Sequence, residues 1–175
     1  SAITGGDVKI NNCLPKQVEP LTLKLRQAGV VVEGAETSLR VISGGPLNGV
    51  NIKTQPHPGF ATDLQAQFMA LMTLAQGQSI ILETIFENRF MHVAELNRMG
   101  ANITVQGHTA FVSGVKRLSG APLMATDLRA SASLVLAALA AEGESVISRV
   151  YHIDRGYFSM EKKLYRLGAK IWRKK

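Results

Sequence analysis

The chain has 175 residues, 46% of them apolar and 19% charged, with a net charge of +7 and a pI near 9.8. That length supports a real hydrophobic core, and that composition excludes a disordered segment. The basic excess suits anionic partners such as a nucleotide, a phosphorylated small molecule or nucleic acid, but Lys170, Arg173, Lys174 and Lys175 crowd the C-terminus, where a charge run is expected to be solvated.

In chain order, Gly5 to Ile10 reads as a glycine turn and a β-branched strand, like the tail of an earlier unit. Cys13 is the lone cysteine; it can form no internal disulfide, suits a reducing compartment, and is expected to be a small packing residue. Glu19-Pro20 opens a helix to about Ala28, stopped by Gly29. Val30–Val32 and Leu39–Ile42 read as strands around a turn containing Gly34, and Val50–Lys53 as a short strand. Thr62 is expected to cap a helix ending near Gly77, with Gln65 completing a capping box. Ser79–Glu83 is the following strand.

The order then recurs. His92–Met99 reads as a helix stopped by Gly100, and Asn102–Val105 with Thr109–Val112 as a hairpin around Gly107-His108. Pro122–Met124 is a strand, Thr126–Ala141 a helix ended by Gly143, and Glu144–Val150 a strand. A third round gives a helix from about Tyr157 to Leu167, Gly168 as its stop, and a strand over Ala169–Trp172. The units are helix, hairpin, strand, helix, strand, over about 19–83, 92–150 and, partially, 157–175. No signal peptide is visible, and the longest apolar run, Ser131–Ala141, is too short to cross a bilayer.

The duplication pairs chemistry-bearing residues. Thr62 to Arg89 returns loosely as Thr126 to Arg155, so Asp63 matches Asp127 and Arg89 matches Arg155. Each aspartate follows a candidate N-cap threonine, where first-turn capping is the plain structural reading. Helix-start amides would also keep such a carboxylate ionised, able to accept a hydroxyl hydrogen bond but not strongly basic. Arg89 and Arg155 follow strands; Arg129 is one turn into its helix. Surface ion pairs are the plain reading of these arginines, and bidentate forks for phosphate or carboxylate the functional one. In an α/β arrangement such junctions fall at one end of the elements, where sites are built. Histidines 57, 92, 108 and 152 have no ligand spacing with each other or with Cys13, so no metal is expected. Phosphate-loop and dinucleotide glycine signatures are missing.

The stretches Ala61-Thr62-Asp63-Leu64-Gln65, Glu87 to Val93 (ENRFMHV), Ala121 to Ser131 (APLMATDLRAS) and His152 to Tyr157 (HIDRGY) resemble UDP-N-acetylglucosamine enolpyruvyl transferase over nearly the whole chain. The resemblance implies an α/β fold: the inverse α/β barrel of the enolpyruvyl transferase type, helices inside and sheets outside, with two complete repeats plus a partial third. It implies that residues 1–175 form a single domain, the truncated C-terminal domain of a two-domain enzyme. The intact enzyme would move enolpyruvyl from phosphoenolpyruvate to the 3-hydroxyl of UDP-N-acetylglucosamine and release phosphate, a cytoplasmic step of peptidoglycan precursor synthesis. The expected partners are those two small molecules and the missing N-terminal domain; no cofactor, membrane or nucleic acid is expected. By the same resemblance Asp63 engages the sugar hydroxyl, the Ile85 backbone contacts the sugar nucleotide with Phe86 beside it, and Arg155 binds phosphoenolpyruvate or its phosphate. Arg89, Arg129 and Asp127 surround the reacting groups, and Asp63, Asp127 and Arg155 form the catalytic set. A mobile-loop cysteine and an N-terminal lysine–asparagine pair of that family have no counterpart, and Ala61 replaces a proline. With half a cleft, the chain alone is expected to be inactive. A shikimate 3-phosphate enzyme of the same fold, and a noncatalytic basic module for RNA or protein, stand as alternatives.

Overall fold

The computed structural model describes residues 1–174; Lys175, the last residue of the expected third unit and basic tail, lies outside the described residues. The elements run β1 (Asp7–Asn11), α1 (Glu19–Gln27), β2 (Val31–Gly34), β3 (Ser38–Ile42), β4 (Ile52–Lys53), α2 (Gln65–Met72) and β5 (Gln78–Leu82). They continue as α3 (Val93–Arg98), β6 (Asn102–Gln106), β7 (Thr109–Ser113), β8 (Pro122–Met124), α4 (Leu128–Ala140), β9 (Val146–Ser148), α5 (Tyr151–Asp154) and α6 (Met160–Arg166).

Three helices stop in the same way. Gly29, Gly100 and Gly168 have φ of +92°, +91° and +95°, the left-handed region that costs glycine least. The next residue then bonds back across the cap: Val30 N–H to Leu25 O at 3.0 Å, Ala101 to Leu96 at 3.1 Å and Ala169 to Leu164 at 3.1 Å. The first two stops lead into the hairpins β2–β3 and β6–β7.

The sheets interlock neighbouring units. β4 pairs parallel with β5, and β5 pairs antiparallel with β7 of the next hairpin, giving the order β4-β5-β7-β6. β1 pairs antiparallel with β3, so it stands toward hairpin β2–β3 as β5 stands toward β6–β7. β8 and β9 form a parallel pair like β4 and β5. A further duplication lies in the approach to β4 and β8. Gly49 N–H bonds Gln76 O at 2.8 Å, and Gly120 N–H bonds Glu142 O at 2.7 Å. A Cβ on Gly49 would meet Gln78 O at 2.6 Å, and one on Gly120 would collide with the Glu144 carbonyl. Both crossings therefore need a residue without a side chain.

Helices fill the middle. Every α2 residue except Gln67 is buried, and α4 buries Ala130 through Val135 and Ala137. A helix apolar on all sides belongs inside a fold, and these two pack on each other. The alanines and serines of α4 allow close approach, while Met69, Met72 and Leu134 fill the space between layers. Strands alternate instead: Ile81, Ile103, Ala110 and Val112 point inward between more exposed neighbours. Helices inside and sheets outside are the layering of an inverse α/β barrel.

The third round departs from expectation. The helix expected from Tyr157 to Leu167 is shorter, starting at Met160, and a separate turn of helix precedes it. Residues 169–172 form no strand. A strand needs a ladder partner, and among the described residues none pairs with 169–172. The tail is not simply solvated: Arg173 binds Asp154 with two bonds of 3.0 and 2.6 Å, and Lys174 reaches Glu144 at 3.1 Å. Val50–Gly77 also tightens, to the two-residue β4 and a helix ending at Met72.

Candidate active site

Asp63 stands in a 3-10 turn, Thr62–Leu64, that leads into α2. The expected capping box does not form, since no side chain caps the turn or the helix. Thr62 Oγ1 instead donates to Glu83 Oε2 at 2.9 Å and accepts from Arg89 Nε at 3.4 Å. Gln65 is fully buried, and its side-chain amide has no partner among the described residues.

Asp127 behaves differently from its duplicate. It is itself the N-cap of α4, with extended backbone, and accepts from Arg129 N–H at 2.9 Å and Ala130 N–H at 3.0 Å. The cap therefore falls one residue later than the expected Thr126. Capping fixes the first turn of α4 and with it the direction of Arg129.

Arg129 reaches across to Asp63. Its Nε donates to Oδ1 at 2.8 Å and its Nη2 to Oδ2 at 3.0 Å, a parallel two-bond fork. Arg89 approaches the same carboxylate, Nη2 to Oδ1 at 3.4 Å, while its Nε donates to Thr62 Oγ1 at 3.4 Å. The guanidinium of Arg89 also lies over the Phe86 ring, 4.5 Å from its centroid. The hydrogen bond from Arg129, then the charges of Arg129 and Arg89, hold the Asp63 carboxyl below its ordinary range; partial burial opposes them. The Asp63 side chain is still 55% exposed, so the cluster faces outward.

The loop after β5 is fastened from below. Glu83, 1% exposed, accepts at Oε1 from Thr54 Oγ1 (2.8 Å), Ile85 N–H (2.9 Å) and Phe86 N–H (3.2 Å). Thr84 adds two bonds to Thr54, from N–H to Oγ1 at 2.8 Å and from Oγ1 to the carbonyl at 2.5 Å. Ile85 and Phe86 nevertheless present exposed side chains. A groove of about 400 Å³ runs from Phe86 and Arg89 past Met91 to Val105 and His108.

Asp63, Arg89 and Arg129 thus meet directly, and Asp127 adjoins them through the Arg129 backbone. Arg155 does not join the cluster: it is exposed at the end of α5, and no hydrogen bond or ion pair links it to the other four. Its turn lies near, with Gly156 against Leu128 and Tyr157 Oη accepting from Gln67 Nε2 at 3.3 Å. A second cavity of about 420 Å³, bordered by Val135, Ile147, Met160 and Trp172, contains none of the expected site residues. Among the described residues, no three His, Cys, Asp or Glu side chains gather to hold a metal ion, and no helix is long and apolar enough to cross a membrane.

The sequence reading missed Glu83. Its local signal was only an acid at the end of β5 followed by Thr84; Thr54 and Thr62 lie 29 and 21 residues away in sequence and meet it only in the fold.

The inside-out α/β layering is that of an enolpyruvyl transferase lobe, and on it Asp63 faces outward between two guanidinium groups. The profile of the EPSP synthase family (3-phosphoshikimate 1-carboxyvinyltransferase) matches residues 1–164, and the chain belongs to that family. Within it, the chain is 59% identical over 169 residues to the UDP-N-acetylglucosamine 1-carboxyvinyltransferase of Thermodesulfovibrio yellowstonii, covering 97% of this chain and 41% of that protein. It is 61% identical over 173 residues to the same-named protein of Trichlorobacter lovleyi, covering 99% and 41%. The chain thus spans about 41% of the length of these curated relatives. Among solved structures, the enolpyruvyl transferase NikO from Streptomyces tendae matches with a TM-score of 0.87 at 28% identity, over 97% of this chain and 41% of that one. EPSP synthase from Acinetobacter baumannii matches with a TM-score of 0.64 at 17% identity, over 83% and 36%, a likeness of fold alone.

Proposed function

We propose that the chain is the C-terminal part of an enzyme that moves enolpyruvyl from phosphoenolpyruvate to the 3-hydroxyl of UDP-N-acetylglucosamine, releasing phosphate. The relatives near 60% identity carry that name. The observation that carries the reading is the half-exposed Asp63 carboxylate gripped by Arg129 and approached by Arg89. Three donor contacts leave Oδ2 one free acceptor position. A sugar hydroxyl can donate there and be aimed at the carbon it attacks. Held below its usual range by Arg129, Asp63 orients that hydroxyl better than it removes its proton. Arginines beside it offset the negative charge that develops as phosphate leaves. Arg155, exposed and free of the cluster, is suited to move onto phosphoenolpyruvate when a second lobe closes. Asp127 contributes by capping the helix that aims Arg129. Ile85 and Phe86 offer a wall for the sugar nucleotide.

On this reading the intact enzyme works in the cytoplasm, on a peptidoglycan precursor, and the missing lobe supplies the rest of the cleft. The chain by itself should not turn over, since neither water exclusion nor ligand alignment is complete. The test is phosphate release from phosphoenolpyruvate by the intact enzyme, with UDP-N-acetylglucosamine or shikimate 3-phosphate as acceptor. Release with the first acceptor alone supports the reading; release with the second alone replaces it. Salt-sensitive RNA binding that survives Asp63→Ala, with no turnover, would favour the basic-module alternative.

A further inference from the structure

We propose that Glu83 is a positioning residue that sets the spacing between the Asp63 turn and the Ile85–Phe86 loop, and through it the fit of the acceptor sugar nucleotide. The inference rests on the functional reading above. Glu83 is buried and faces no ligand itself. Its one carboxylate gathers donors from three separate stretches: Thr54 after β4, Thr62 beside Asp63, and the backbone of Ile85 and Phe86. All four partners donate, which is what a carboxylate at the bottom of a turn requires. A buried carboxylate is costly unless its bonds are complete, and complete networks are stiff.

The chain of contacts runs to the site on both sides. Thr62 donates to Glu83 and receives Arg89 Nε at 3.4 Å, so the clamp reaches the guanidinium that approaches Asp63. On the other side the Ile85 N–H is committed to Glu83. What Ile85 offers a ligand is therefore its carbonyl and side chain, a surface that recognises a hydroxyl or amide donor. Arg155, in the turn after α5, has no link to this network. Disturbing the clamp should affect the acceptor and spare phosphoenolpyruvate.

Glu83→Gln tests this with little risk to the fold. The amide oxygen can keep the three donors at the Oε1 position, and the NH2 then faces Thr62 Oγ1, which must turn to accept. One link is inverted and the Asp63 side loosens. In the intact enzyme, Glu83→Gln should raise KM for UDP-N-acetylglucosamine ~10-fold and lower kcat by a similar factor, with KM for phosphoenolpyruvate within ~2-fold, as a small misalignment predicts. Glu83→Ala, which removes every link, should lose ~100-fold or more in kcat/KM for the acceptor. Amide exchange at Ile85 and Phe86 should quicken in folded Glu83→Ala, which removes their acceptor. Unchanged acceptor KM and kcat in folded Glu83→Gln would overturn the proposal. So would a loss confined to the active fraction with every KM intact, which is what a purely structural role gives. If the parent enzyme does not use UDP-N-acetylglucosamine, the functional reading fails by that result alone. Amide exchange then judges the clamp: unchanged protection at Ile85 and Phe86 in folded Glu83→Ala would sink it.

Discussion

Arg129 holds Asp63 in a two-bond fork, Nε to Oδ1 at 2.8 Å and Nη2 to Oδ2 at 3.0 Å, tying the start of α4 to the turn before α2. The partners are 66 residues apart in sequence and come from opposite halves of the internal duplication. The pair assembles the site; it contributes little to stability, because both side chains remain partly exposed. A double-mutant cycle of Asp63→Asn and Arg129→Gln, read by urea unfolding, should give a coupling of about 0.5–1 kcal/mol that shrinks in 1 M salt. The folded carboxyl lies below its ordinary value of 3.8. Its contribution is therefore present above that value and lost as pH falls through the folded pKa.

His92 makes a larger and separate contribution to pH dependence. It is 1% exposed, neither ring nitrogen has a partner among the described residues, and burial pushes its pKa down to about 4, with Asp127 opposing and Arg89 adding to the shift. The folded protein holds the neutral ring while the unfolded chain takes up a proton from about pH 6.5 downward. Stability should be full above that pH and fall by roughly 3 kcal/mol on going to pH 4, then level off as far as this group is concerned. His92→Phe should flatten the slope between those pH values. Urea midpoints measured at half-unit intervals for both proteins read the difference.

The buried helices α2 and α4 pack on each other. Leu134 is completely buried on α4. Leu134→Ala should cost about 3 kcal/mol, since the packed helices on both sides cannot collapse onto the void. Chemical denaturation of the variant checks it.

Backbone crossings give a sharper contrast. A Cβ at Gly120 would strike the Glu144 carbonyl, and one at Gly114 the Ala75 carbonyl, whereas Gly44 has no neighbour within 4 Å. Gly120→Ala should destabilise by about 2–3 kcal/mol or more, and Gly44→Ala by no more than about 0.5 kcal/mol. Thermal melts of the two variants side by side make the comparison.

Much of this fold was legible because its punctuation is local. Three glycines at left-handed helix ends, a Gly-His turn and β-branched runs each carry their own geometry, and α1, β8 and the hairpin β6–β7 fall within a residue or so of their expected places. The site was half legible. The duplication brought forward Asp63, Asp127, Arg89 and Arg155, and Arg129 entered by its place one turn into its helix, but a shared Thr-Asp-Leu could not say that one aspartate caps a helix while the other holds an arginine. In the first copy Thr62 is engaged by Glu83 and Arg89, and Asp63 by Arg129 and Arg89, from residues far along the chain. Long-range hydrogen bonds of this kind leave no periodic trace. The strand expected at 169–172 failed for a related reason, since pairing depends on a partner strand that local propensity does not supply.

The most direct measurement is phosphate release from phosphoenolpyruvate with UDP-N-acetylglucosamine as acceptor, comparing the intact enzyme with its Asp63→Ala variant at equal folded concentration. Loss of at least ~100-fold in kcat, with thermal stability nearly unchanged, is the outcome expected of a residue that aligns the attacking hydroxyl. An Asp63→Ala enzyme that transfers enolpyruvyl at the parent rate would contradict the assignment of this carboxylate, and of the face around it, to the reaction.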